Sequence, residues 1–129
     1  MKSKIKYGQH FVVQMTPYIT KVLVSLGEDK EIIIKTLCGY KCPKDLSQPI
    51  IDNLTETSSG YYIDFDNGFI LLALNKYPIN IKDFSTLVHE ITHVVQATLE
   101  YAGIKICADT TEVLAYATGY LYHEIMKKI

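Results

Sequence analysis

An α+β fold, a small and mostly antiparallel sheet packed on helices, is what the sequence predicts, and three observations carry that expectation. Residues 61–65 and 69–74 read as two strands of a hairpin around Asn67-Gly68. Residues 84–101 shift to a helical period with apolar residues at most positions. A second helical pattern follows from Asp109 to about Lys127. At 129 residues, with 48% hydrophobic and 21% charged side chains, the chain fits one domain spanning 1–129 and is able to bury a core.

The elements follow in order. His10–Gln14 and Ile19–Ser25 are rich in β-branched residues and read as strands. Gly27-Glu28-Asp29-Lys30 supplies an acidic start for a short helix over 31–38 that ends at Gly39, although its isoleucine run suits a strand as well. Residues 40–60 hold Pro43, Pro49 and a Thr/Ser/Gly-rich end, and read as a connection with one helical turn near Ile50–Leu54. Tyr61–Phe65 and Phe69–Leu74 form the hairpin, for which Asn67-Gly68 fits a two-residue type I′ turn. The long helix that follows ends at Gly103. Its sparse polar surface places it at the centre of the fold. Ala115, Ala117 and Gly119 suggest that the last helix packs closely on a neighbour.

Composition narrows the function. The 13 basic residues, all lysine, against 14 acidic ones lack the arginine fork that grips phosphates and base edges, so a nucleic-acid reader is disfavoured. No apolar run reaches membrane-spanning length, and the start MKSKIKYGQHFVVQM has too short an apolar stretch for a secretory signal. A cytoplasmic protein is expected, with no membrane partner. Cys38, Cys42 and Cys107 are an odd set consistent with a reducing compartment. Cys38-Gly-Tyr-Lys-Cys42 is one residue too long for a zinc knuckle, so inert thiols are expected.

Within the central helix lies His89-Glu90-Ile91-Thr92-His93, an HExxH motif. Spacing i, i+4 sets both imidazoles on one helix face, where they can share a zinc ion, and places Glu90 beside them as a general base. The purely structural alternative, a hydrogen-bonded polar stripe, would bury two imidazoles and a carboxylate at a cost. Catalytic zinc usually takes three protein ligands. Gln96 and Leu99 stand where the metzincin extension needs Gly and His, and Glu100 is roughly 10 Å along the axis, beyond reach. Asp109, Glu112 and His123 remain as candidates. Glu112 can equally complete a capping box with Asp109, and His123 can equally be a surface histidine.

The order HExxH, short link, then a helix carrying Glu112-Val113-Leu114-Ala115-Tyr116 resembles the gluzincin zinc metallopeptidases, and more closely small zincin-like proteins encoded by phages and prophages. The resemblance covers about residues 61–125. It implies a minimal zincin-like domain in which His89, His93 and Glu112 bind Zn2+ and Glu90 is the general base, acting on a peptide or protein substrate. The family often has an Asp four residues after the ligand Glu, where this chain has Tyr116. One turn from Glu112, that phenol could stabilise an oxyanion, or be an ordinary packed tyrosine. The Phe69–Leu74 strand could pair with an extended substrate if it lies at a sheet edge. The alternative is a phage structural or interaction protein that keeps the zincin fold with little catalysis.

Overall fold

The structure is a computed structural model that describes residues 8–40 and 59–129, together with Pro49 and Asp52. Four strands form one mixed sheet: β1 (Gln9–Gln14), β2 (Lys21–Leu26), β3 (Gly60–Asp64) and β4 (Phe69–Leu74), in the order β1-β2-β4-β3. β1 pairs antiparallel with β2 and β3 antiparallel with β4, while β2 and β4 run parallel with Val22 opposite Ile70. The fold is α+β, as the patterning predicts. Of the helical turn expected near Ile50–Leu54 only Asp52 is among the described residues, and it is helical, as is Pro49 just before the turn.

β4 is not an edge. Its six residues FILLAL are all buried between β2 and β3, so it cannot accept a substrate strand. An unbroken apolar run is the mark of a strand covered on both faces. Alternate residues of the central strands feed two cores. Val22, Val24, Ile70 and Leu72 face one layer of helices, and Leu23, Leu71 and Ala73 face the other.

On the second face lies α1 (Lys30–Gly39), begun by Asp29, whose Oδ1 accepts from the Ile32 N–H at 3.0 Å. It buries Ile33, Ile34 and Leu37. Gly39 is its last residue rather than its exit, and Tyr40 caps it.

The first face carries α2 (Ile81–Tyr101) and α3 (Thr111–Met126). Asn80 caps α2 by accepting from the Asp83 N–H at 2.8 Å, so the helix begins at Ile81, three residues ahead of the period read from residue 84. Leu87, Ile91, Val94, Val95 and Leu99 form its fully buried stripe. Its end is a Schellman motif: Gly103 takes φ +74°, its N–H donates to the Glu100 carbonyl, and Ile104 N–H donates to the Leu99 carbonyl. A single 3-10 turn, Ala108–Thr110, leads into α3.

α3 packs with Ala117, Leu121 and Ile125, a stripe of spacing four. Of the three small residues expected at its contact only Ala117 is buried; Ala115 and Gly119 are exposed. Tyr120 Oη donates to the Gln14 carbonyl at 3.1 Å, which ties α3 to β1. α2 instead lies over β3 and β4.

The hairpin is present with a different loop. Phe65 N–H donates to the Phe69 carbonyl at 3.1 Å, so three residues, Asp66-Asn67-Gly68, cross over. Asp66 (φ +61°) and Gly68 (φ +84°) hold the left-handed conformations. Asp64 Oδ1 accepts from the Asp66 N–H and Asn67 Oδ1 from the Phe69 N–H, which stabilises this longer loop over the two-residue turn.

Among the described residues no helix is long and apolar enough to cross a membrane. Cys38 and Cys107 are exposed free thiols, and Cys42 lies outside the described residues.

Candidate metal centre

His89, Glu90 and His93 occupy the middle of α2, on the flank that looks toward β3. One helical turn brings His89 Nε2 and His93 Nε2 to 3.3 Å, with the rings edge to face at 74°. Two ligands about 2.0 to 2.1 Å from a tetrahedral zinc are themselves about 3.3 to 3.4 Å apart, so the imidazole pair has the separation of two ligands of one ion. The same separation admits an N–H···N contact between neutral rings.

The His93 ring stacks on Tyr62 of β3, centroids 4.9 Å apart and planes 12° from parallel. Tyr62 was not among the residues singled out from sequence. The strand alternation that buries Tyr61 and Ile63 in the second core already sends Tyr62 to the α2 face.

Glu90 is 7% exposed in a neighbourhood that includes the fully buried Leu87, Ile91 and Val94. Among the described residues no hydrogen-bond donor reaches its carboxylate. Burial raises its carboxyl above the ordinary carboxylate range, opposed by the attraction of His89 and His93. A cleft of about 460 Å3 opens beside it, running along α2 from Lys82 through Ser85 and Thr86 to His89 and Glu90, with Ser59 and Gly60 as its opposite wall. A side chain at Gly60 would place Cβ 2.9 Å from Thr86 Cγ2 and 2.8 Å from Leu74 Cδ2, so glycine is what lets β3 approach α2 here.

The other expected site residues are not brought to this pair. Among the described residues no group of three or more His, Cys, Asp or Glu side chains could hold a metal ion. Glu112 is exposed near the start of α3, and the physical reason lies in the packing. α3 meets α2 on the flank of Val88 and Ile91, where Thr118, Gly119 and Tyr122 face them, whereas the histidines look toward β3. Tyr116 stands 67% exposed on α3, and His123 and Asp109 are exposed as well. The capping box imagined for Asp109 and Glu112 is also absent. Thr110 Oγ1 instead accepts from the Cys107 N–H at 3.0 Å and donates to the Lys105 carbonyl, closing the link between the helices.

No protein-family model matches this chain, and no curated protein or solved structure shows significant similarity to it.

Proposed function

We propose that the His89-Glu90-x-x-His93 turn is a zinc-binding hydrolytic centre and that the protein is a small metal-dependent peptidase. The observation that carries this reading is the 3.3 Å separation of the two Nε2 atoms beside a buried carboxylate with no donor. His89 and His93 would hold the ion. Glu112 is left out of the ligand set because α3 packs on the other flank of α2, so the remaining coordination positions fall to solvent and substrate. A bound zinc would supply Lewis-acid polarisation and a more acidic water.

The chain's own groups would perform the proton chemistry. Glu90, with its carboxyl raised by burial, is better matched to neutral-pH proton transfer than an exposed glutamate. It would accept the proton of the attacking water and return it to the leaving nitrogen. Tyr62 fixes the plane of His93 by stacking, in place of the carboxylate partner that commonly orients a ligand imidazole.

The test is hydrolysis of a fluorogenic peptide pool by protein purified without chelator, with zinc content measured in parallel. Glu90→Gln is expected to keep zinc and lose cleavage; His93→Ala is expected to lose both. Cleavage by Glu90→Gln at the parent's rate would overturn the reading. A second reading, a binding protein with little catalysis, is favoured by the two-member ligand set. It would be supported by zinc binding without cleavage of any peptide.

A further inference from the structure

The cleft beside His89 and Glu90 has a charge gradient along α2. Among the described residues Glu90 is its one lining carboxylate, at one end, and Lys82 its one lining ammonium, at the other. Lys82 is exposed, and among the described residues no carboxylate lies within ion-pair distance of it. Thr86 Oγ1 already donates to the Lys82 carbonyl at 3.2 Å, so the free hydroxyl next to Lys82 is that of Ser85. Lys82 and His89 are two turns apart on one helix, about 10 Å along its axis. That is the length of about three extended residues.

β3 supplies a direction. Gly60 lies against Thr86 and Tyr62 lies against His93, so β3 runs the same way as this stretch of α2. It is the outermost strand of the sheet on that side, and among the described residues no strand pairs with its outer edge. An extended peptide adding antiparallel to β3 would run from His93 toward Lys82, carrying its C-terminal portion to the lysine.

From this placement we infer that Lys82 is a carboxylate-recognition residue. The cleft would take peptides bearing a carboxylate about three residues C-terminal to the point opposite His89 and His93. A chain terminus and an acidic side chain present the same chemistry there. Calling such a peptide a substrate rests on the hydrolytic reading above; binding it does not.

The experiment is fluorescence anisotropy with three labelled, degenerate hexapeptide pools: a neutral pool with a free C-terminus, the same pool amidated, and an amidated pool with Asp near the C-terminus. Glu90→Gln protein with chelator at low ionic strength prevents both cleavage and capture of carboxylates by a metal. At least one acidic pool is expected to bind about three-fold tighter than the neutral amide, the range of a partly exposed ion pair. The advantage should vanish in Lys82→Gln, persist in Lys82→Arg and weaken with added salt. Which acidic pool is preferred identifies the source of the carboxylate. Equal binding of the three pools, absence of binding to all of them, or a preference that survives Lys82→Gln in a variant with an unchanged circular dichroism spectrum would overturn the assignment. The hydrolytic reading fails separately, if the parent protein with zinc cleaves none of the pools while the binding preference stands.

Discussion

Replacing Glu90 by methionine should make the metal-free protein more stable. Glu90 is 7% exposed as a residue, on the same buried face as Leu87, Ile91 and Val94, and its carboxylate opens onto the cleft with no donor among the described residues. Methionine has nearly the same length and flexibility and needs no donor. A fully buried polar group left without a partner costs about 1–3 kcal/mol; a carboxylate open to a cleft lies at the low end, about 1 kcal/mol, which an apolar replacement of similar shape removes. For a chain of this size about 1 kcal/mol corresponds to roughly 3–4 °C, so a rise of about 3–4 °C in Tm is expected. The assay is thermal unfolding followed by circular dichroism at pH 8 in excess chelator. A Tm equal to or below the parent's would refute the reasoning. It would mean that the carboxylate is an anchor of the fold, satisfied by partners or water, rather than a group kept for chemistry at the expense of stability.

Four further outcomes are expected. Glu112→Ala should leave zinc affinity within about two-fold of the parent by isothermal titration, because the carboxylate is exposed and α3 packs on the other flank of α2; a loss comparable to that of His93→Ala would restore it as a ligand. Gly27→Ala should destabilise by about 2 kcal/mol or more in urea unfolding: its φ is +75° and a Cβ there would lie 2.7 Å from the backbone nitrogen of Tyr77. Tyr61→Phe should raise stability by about 1 kcal/mol, since the Tyr61 hydroxyl is buried with no partner among the described residues and burial pushes its pKa upward; destabilisation would show that the hydroxyl is bonded. Cys107, its thiol pKa lowered by the Asp109 backbone N–H and the Thr110 hydroxyl, should be alkylated by iodoacetamide at neutral pH faster than free cysteine, as read by peptide mass spectrometry.

The parts of this molecule that were legible in its sequence are those set by local chemistry. The period of residues 84–101 and the glycine at 103 announce α2 and its Schellman end, and the i, i+4 spacing places His89 and His93 on one face. The strand pair around Asp66-Asn67-Gly68 was equally visible, but its loop was not. Whether two or three residues cross over depends on Asp64 and Asn67 side chains binding backbone N–H groups, which competes with the Asn-Gly preference. Strand order was hidden in principle, because the parallel pairing of β2 with β4 joins segments more than forty residues apart. The six consecutive apolar residues of Phe69–Leu74 are the sequence signal of a strand buried on both faces, and so of β4's place inside the sheet.

The candidate site divides along the same line. The HExxH turn is intrahelical and survives intact. The role expected of Glu112 required α3 to approach α2 on its histidine flank, and helix packing set it on the Val88 and Ile91 flank instead. Tyr62 and Gly60 enter the site only through strand register against α2, which no spacing within one element reveals.

The most direct test of the zinc-binding claim is anomalous diffraction at the zinc edge from crystals grown with zinc. One peak is expected about 2.0 to 2.1 Å from both Nε2 atoms, and it should be missing in His93→Ala crystals. Parent crystals with no peak between the two imidazoles, the rings still in contact with each other, would contradict it.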